Sequence, residues 1–266
     1  MNWLRKMDLG LKDKVALVTG GAAGIGKATV EVLLEERAIP VVVDRALSSH
    51  FSMQDAWKIG AFLQYDLTID ENCEAAVRET VQRFGRLDIL INNAGGNDFK
   101  HITTTSPREF RKSLDQNLVM PYAMTHYAWP ELIKSKGSIV FVGSKVSLVG
   151  GGDGGGTVSY AAAKGGINGL TRELAVISAK ENLGIRVNCI LPGKVDTYIE
   201  KVYPGREDEG RKIEGRDIPF GKRITDPREI AYSIAFLASN KVSGHTTGEI
   251  YTVDGGYTHL DRNAHL

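Results

Sequence analysis

The chain has 266 residues, and 33 basic against 32 acidic side chains leave a net charge of +1. It therefore carries no field that would draw in nucleic acid or an anionic membrane surface. Two cysteines, Cys73 and Cys189, are too few for a disulfide framework or a four-ligand zinc site, so no metal is expected.

The N-terminus, Met1-Asn2-Trp3-Leu4-Arg5-Lys6, lacks the apolar core of a signal peptide, and no run of about 18 apolar residues is present to span a bilayer. The expectation is a cytoplasmic, soluble protein with residues 1–266 in one domain. Apolar runs rich in β-branched residues predict strands over 15–19, 40–44, 61–65, 87–92, 138–142, 186–191 and 250–253. Segments of helical period alternate with them over 26–37, 71–84, 107–133, 160–182 and 227–238. This alternation predicts an α/β fold, a doubly wound, Rossmann-type seven-stranded parallel sheet with helices on both faces. Ligands of such sheets bind beyond the carboxyl ends of the strands, and the chemistry-bearing motifs fall there.

The first strand runs into Thr19-Gly20-Gly21-Ala22-Ala23-Gly24-Ile25-Gly26 and then a helix. Glycines at such a turn let the backbone approach a pyrophosphate and aim helix N-terminal amides at it, with Gly20, Gly24, Ile25 and Gly26 as the candidate contacts. Asp44 closes the second strand, 18 residues beyond Gly26. That is close to the ~20 expected of an acid that holds the adenosine ribose and repels a 2′-phosphate. The cofactor is therefore expected to be NAD, with NADP possible because Arg45 follows and pairs readily with a phosphate. Asp66 ends the third strand, either against the adenine or as a turn cap. Asn92-Asn93-Ala94-Gly95 ends the fourth, where Asn93, Ala94 and Gly95 would shape the cofactor floor.

Ser144 ends the fifth strand, and its hydroxyl is placed to hold a substrate oxygen. Tyr160 and Lys164 stand four apart, hence on one helix face, where a lysine ammonium stabilises a phenolate and pulls its pKa from about 10 toward neutral. Pro192 and Gly193 end the sixth strand, and Thr197 follows, able to bond a nicotinamide carboxamide or to cap a helix. Two stretches break the pattern. The glycine-rich 150–156 reads as a linker or a mobile pocket rim, and 198–222 as a solvated insertion or a substrate lid.

In their order and setting, TGxxxGxG at 19–26, NNAG at 92–95, Ser144, YxxxK at 160–164 and the Pro192-Gly193 turn resemble the short-chain dehydrogenase/reductase family over nearly the whole chain. The resemblance implies Asn117, Ser144, Tyr160 and Lys164 as the catalytic set. Tyr160 would be acid/base, Lys164 would lower its pKa while binding the nicotinamide ribose, Ser144 would position the substrate, and Asn117 would hold a relay water. It also implies a homo-oligomer, commonly a tetramer, with 227–238 and 248–262 at the interface. Two departures stand out: another serine usually precedes Ser144's counterpart, and that counterpart lies about three residues nearer the tyrosine.

Asn97-Asp98, His245-Thr246-Thr247-Gly248-Glu249 and the stretch from Val253 to Arg262 are similar to bacterial L-fucose dehydrogenases of this family. That similarity implies oxidation of a sugar's anomeric hydroxyl to a lactone, with Asn97, Asp98, Lys145 and His259 as candidate substrate contacts. The alternatives are a 3-oxoacyl, steroid-like or other ketone reductase, which wants an apolar wall from 198–222, and a non-catalytic nucleotide-binding protein.

Overall fold

The computed structural model describes residues 8–46, 60–150, 156–198 and 202–259. Most of the 150–156 stretch, residues 199–201 of the expected lid and the tail beyond His259 lie outside the described residues, as does the N-terminal hexapeptide.

Seven parallel strands form one sheet: β1 (Val15–Thr19), β2 (Ile39–Asp44), β3 (Ala61–Gln64), β4 (Ile89–Asn92), β5 (Ser138–Val142), β6 (Arg186–Pro192) and β7 (Ile250–Val253). Their order, β3-β2-β1-β4-β5-β6-β7, reverses direction between β1 and β4, the switch point where a crevice opens at the carboxyl ends. Val18 marks the register there, opposite Val42 on one side and Ile91 on the other. Every residue of β1, β4 and β5 is buried, as expected of strands covered on both faces.

The alternation of side chains divides the core in two. Leu17, Leu90, Ile139 and Phe141 point to the face covered by α2 (Asp70–Phe84), α4 (Met120–Ser135) and α5 (Val158–Lys180), where Met124 and Ile167 meet them. Val18, Ile91 and Val140 point to the opposite face, where α1 (Gly24–Glu35) and α7 (Pro227–Ala238) contribute Val30, Leu33, Ile234 and Leu237. Burial of one such side chain stabilises the fold by roughly 1.5–3 kcal/mol. Among the described residues, no helix is long and apolar enough to cross a membrane.

The expected helix over 107–133 is interrupted. It comprises α3 (Pro107–Leu114), a π-helical turn (Asp115–Val119) and α4. Pro121 has no N–H for the carbonyl of Asn117, and the Met120 amide reaches back to Asp115 instead, so the ladder widens by one residue at Asn117. Within 198–222 the structure adds α6 (Glu207–Gly215), which has an acidic first turn.

Candidate active site

A cleft of about 1860 Å³ runs along the carboxyl edge of the sheet. It exceeds the roughly 300–1,000 Å³ of a site for one small ligand and has room for a dinucleotide beside a substrate.

At one end lies the glycine-rich turn. Gly20 and Gly24 have φ of +64° and +54°, a conformation that suits glycine. A Cβ on Gly26 would stand 2.1 Å from the Gly20 carbonyl oxygen, so no side chain fits where the turn enters α1. The first turn of α1 has no side-chain cap, which leaves its orphan amides to face an anion. Asn93 braces this loop by donating through Nδ2 to the carbonyls of Thr19 and Gly20, each at 3.0 Å. The Thr19 hydroxyl receives the amides of Asn93 and Ala94 at 3.0 Å. Asp44 accepts the Ala22 amide at 3.1 Å and the Arg45 amide at 2.8 Å. Asp66 caps the turn after β3 through the amide and hydroxyl of Thr68, which hold its carboxyl below the usual range.

Gly20, Gly24, Ile25, Asp44, Asp66, Asn93, Ala94, Gly95, Pro192, Gly193 and Thr197 all line the cleft. Gly26 supports it from behind. The turn's cramped glycines, uncapped helix start and strand-end carboxylate fit a nicotinamide dinucleotide.

At the other end, the cleft is lined by Ser144, Tyr160 and Lys164. Lys164 is 4% exposed and donates to the Val142 carbonyl at 2.7 Å, with its Nζ 5.5 Å from the centroid of the Tyr160 ring. Burial lowers its pKa to about 8, with nearby Cys189 acting the other way. Burial also pushes Tyr160 up to about 12, and the Ser144 hydroxyl acts the other way. The expected pull of Lys164 on the phenol is not seen in this structure: desolvation raises the phenol's pKa, and only the Ser144 hydroxyl opposes that. Ser159 donates to Asp98 at 3.0 Å, tying the start of α5 to the segment after β4. Ser144 heads a short 3₁₀ turn, Lys145–Ser147, whose Val146 amide it accepts.

Asn117 is fully buried and does not line the cleft. Its side chain exchanges two hydrogen bonds with the backbone of Gly96, at 2.9 Å and 3.0 Å. A Cβ on Gly95 would come within 2.6 Å of its Oδ1.

The substrate candidates separate. Asn97 and Lys145 line the cleft, whereas His259 lies in a shallow second cleft with Pro219 and Phe220. The 3₁₀ turn Tyr257–His259 sets Tyr257, which does not itself line the cleft, against Lys145, whose Nζ lies 3.2 Å from its ring centroid. The cleft also takes in Lys194, Tyr198 and Glu214. Lys194 and Glu214 were not apparent as site residues, because nothing in their local spacing marks them.

A family model described as enoyl-(acyl carrier protein) reductase matches residues 20–258. L-fucose dehydrogenase of Bos taurus is 34% identical over 247 residues, covering 91% of this chain and 88% of that protein. The 3-oxoacyl-(acyl-carrier-protein) reductase FabG of Vibrio cholerae serotype O1 is 34% identical over 252 residues, covering 93% and 98%. Among solved structures, Cj0485 dehydrogenase superposes with a TM-score of 0.88 at 37% identity, covering 97% of this chain and 98% of that one. Aldohexose dehydrogenase of Thermoplasma acidophilum superposes at 0.85 with 27% identity, covering 96% and 98%. A glycine-rich turn at the switch point, a serine, tyrosine and lysine in one cleft and this breadth of likeness have one explanation: the chain belongs to the short-chain dehydrogenase/reductase family.

Proposed function

We propose that the protein is an NAD-preferring dehydrogenase that oxidises the anomeric hydroxyl of a small sugar, L-fucose or a related aldose, to its lactone. The observation that carries this reading is the shared cleft, in which Ser144, Tyr160 and Lys164 line the same cavity as the glycine-rich turn and Asp44. Likeness to L-fucose and aldohexose dehydrogenases supports the sugar.

In this reading the amides at Gly20, Gly24 and Ile25 hold the pyrophosphate, Asp44 the adenosine ribose, Lys164 the nicotinamide ribose, and Pro192, Gly193 and Thr197 the nicotinamide. Bound nicotinamide supplies the hydride acceptor at C4 and a positive ring. Ser144 would align the substrate hydroxyl, and Tyr160 would take that hydroxyl's proton as the carbon bearing it gives up hydride. Because burial holds the free phenol high, Tyr160 would reach working range with the Lys164 ammonium beside it and the positive charge that a bound nicotinamide would supply. Asn117, whose carbonyl has no helical donor at Pro121, supports the water through which that proton leaves. The exposed Tyr232, Phe236 and Tyr251 on α7 and β7 support self-association through that face, in the tetramer the resemblance implies.

A ketone reductase is the second reading, favoured by likeness to FabG and by exposed Phe99 and Val202 on the cleft rim. The test is the absorbance of reduced nicotinamide, followed with NAD or NADP and a panel of aldoses led by L-fucose, beside secondary alcohols and ketones. Sugar-dependent reduction of NAD is expected. Silence with every sugar alongside turnover of ketones sinks the aldose reading.

A further inference from the structure

The wall that α6 contributes to the cleft is organised around one carboxylate. Glu214 accepts the phenol of Tyr203 at 3.1 Å on Oε1 and that of Tyr198 at 3.2 Å on Oε2. Lys194 Nζ lies 3.2 Å from the same Oε2, each of the two side chains being 21% exposed. Lys194 follows the Pro192-Gly193 turn directly, so it rises from the sheet edge that also presents Ser144. Lys194, Tyr198 and Glu214 all line the cleft, whereas Tyr203 stands behind them, outside its lining.

The helix does not depend on this pair for its place. Arg211 bridges α6 to Asp196 at 2.5 Å, and Ile218 and Ile224 pack with Tyr198 and Tyr203 in a small apolar cluster beside it. An ion pair partly withdrawn from water contributes little net stability, so its position facing a ligand cleft calls for another role. A carboxylate offers about four acceptor sites and an ammonium three donors. Three of the former and one of the latter are used here. What remains is an acceptor and donors side by side, the complement of two adjacent hydroxyls, each of which both gives and takes a hydrogen bond.

We propose that Glu214 and Lys194 form a hydroxyl-reading station that binds adjacent ring hydroxyls remote from the reacting carbon and so determines specificity for polyhydroxylated substrates. This rests on the aldose reading above.

The test compares L-fucose with 2-hydroxytetrahydropyran, which presents the same cyclic hemiacetal without the ring hydroxyls. Glu214→Gln is expected to raise KM for L-fucose about 10- to 100-fold, the loss of a hydrogen bond to a charged group, with kcat retained and 2-hydroxytetrahydropyran unaffected. Lys194→Met, which leaves both phenols on Glu214, is expected to show the same split. Tyr203→Phe removes a tether alone and should move neither substrate. Melting temperature and NADH binding are measured on each variant, so that a misfolded one is recognised and Lys194→Met decides. Equal losses on both substrates, or an unmoved KM for L-fucose, overturn the proposal and leave Glu214 a tether for α6. A wild-type protein inactive on L-fucose and every other aldose fails the underlying reading and the station with it. One that is active on L-fucose, with uniform losses in the variants, fails the station alone.

Discussion

Asn117 and Gly96 are locked to each other: the side-chain oxygen takes the Gly96 amide at 2.9 Å and the side-chain amide returns to its carbonyl at 3.0 Å. The pair fixes the end of the NNAG segment to the π-helical turn that Pro121 creates.

Pro121→Ala supplies the missing N–H and allows the turn to close into an ordinary α-helix. We expect thermal stability to hold or rise while kcat falls about 100-fold, the scale of a displacement near 1 Å in a catalytic group. Steady-state kinetics beside a melting curve check this. Full activity in the variant would show that the widened turn has no part in turnover.

Tyr160→Phe should lower kcat by about 10²- to 10⁴-fold, the usual contribution of a positioned acid/base, with NADH affinity by fluorescence titration close to wild type. The same variant isolates one phenol spectroscopically. In the free protein Tyr160 is held up at about 12, so the wild-type minus variant phenolate absorbance should stay absent through the ordinary tyrosine range near ~10. Saturating NAD should shift its onset downward.

Asp44→Asn keeps a polar side chain against the Ala22 amide but removes the charge. The ratio of kcat/KM for NAD over NADP should fall about tenfold or more, from a weakened ribose bond and relieved repulsion of a 2′-phosphate. An unchanged ratio assigns the discrimination to another group, with neighbouring Arg45 the first to examine.

Lys164 makes a pH-dependent contribution to stability whose sign follows from its lowered pKa, about 8 against an ordinary value of 10.5. Below pH 8 both folded and unfolded chains carry the proton, and the buried charge is a full penalty. As pH rises from 8 to 10.5 the folded protein releases its proton first, and the penalty is relieved. Lys164→Met should therefore raise stability at neutral pH by about 1–2 kcal/mol. That is less than the roughly 3 kcal/mol the shift represents, because the Val142 carbonyl loses its donor. The gain should vanish above pH 10.5, and urea melts across that range measure it. A gain that grows with pH would reverse the assignment.

The strands were legible because each is a short β-branched run covered on both faces, so hydrophobicity alone marked them. β4 begins at Ile89 and not at position 87. Asp88 just before it is committed to Arg86, Lys14 and the Val15 amide, a buried charge cluster that a hydrophobic reading cannot distinguish from strand. Helix α6 escaped notice for a related reason. Its Glu-Asp-Glu-Gly-Arg-Lys-Ile-Glu-Gly sequence has no apolar stripe, and the tie of Arg211 to Asp196 with the small apolar cluster beside it holds it in place. That the glycine-rich turn and the strand-end residues share one end of the cleft was readable because they are consecutive in short motifs. The other end was not, since Lys145 meets Tyr257, and Lys194 meets Glu214, only through the fold. His259 was expected at the substrate on grounds of sequence likeness, but the turn of one 3₁₀ helix sets it in the second cleft and lays the ring two positions earlier against Lys145.

The contact between Lys145 and Tyr257 also bears on the order in which the site is completed during synthesis. Strands β1 to β6 and the glycine-rich turn emerge from the ribosome well before the last ten residues described here, and N-terminal elements can organise first. A nascent chain, or one clipped after Asp254, keeps its glycine-rich turn and lacks the aromatic surface on which the lysine beside Ser144 rests. On the proposed function, such a species would pass a test of dinucleotide affinity before the lysine that lines the other end of its cleft has its partner.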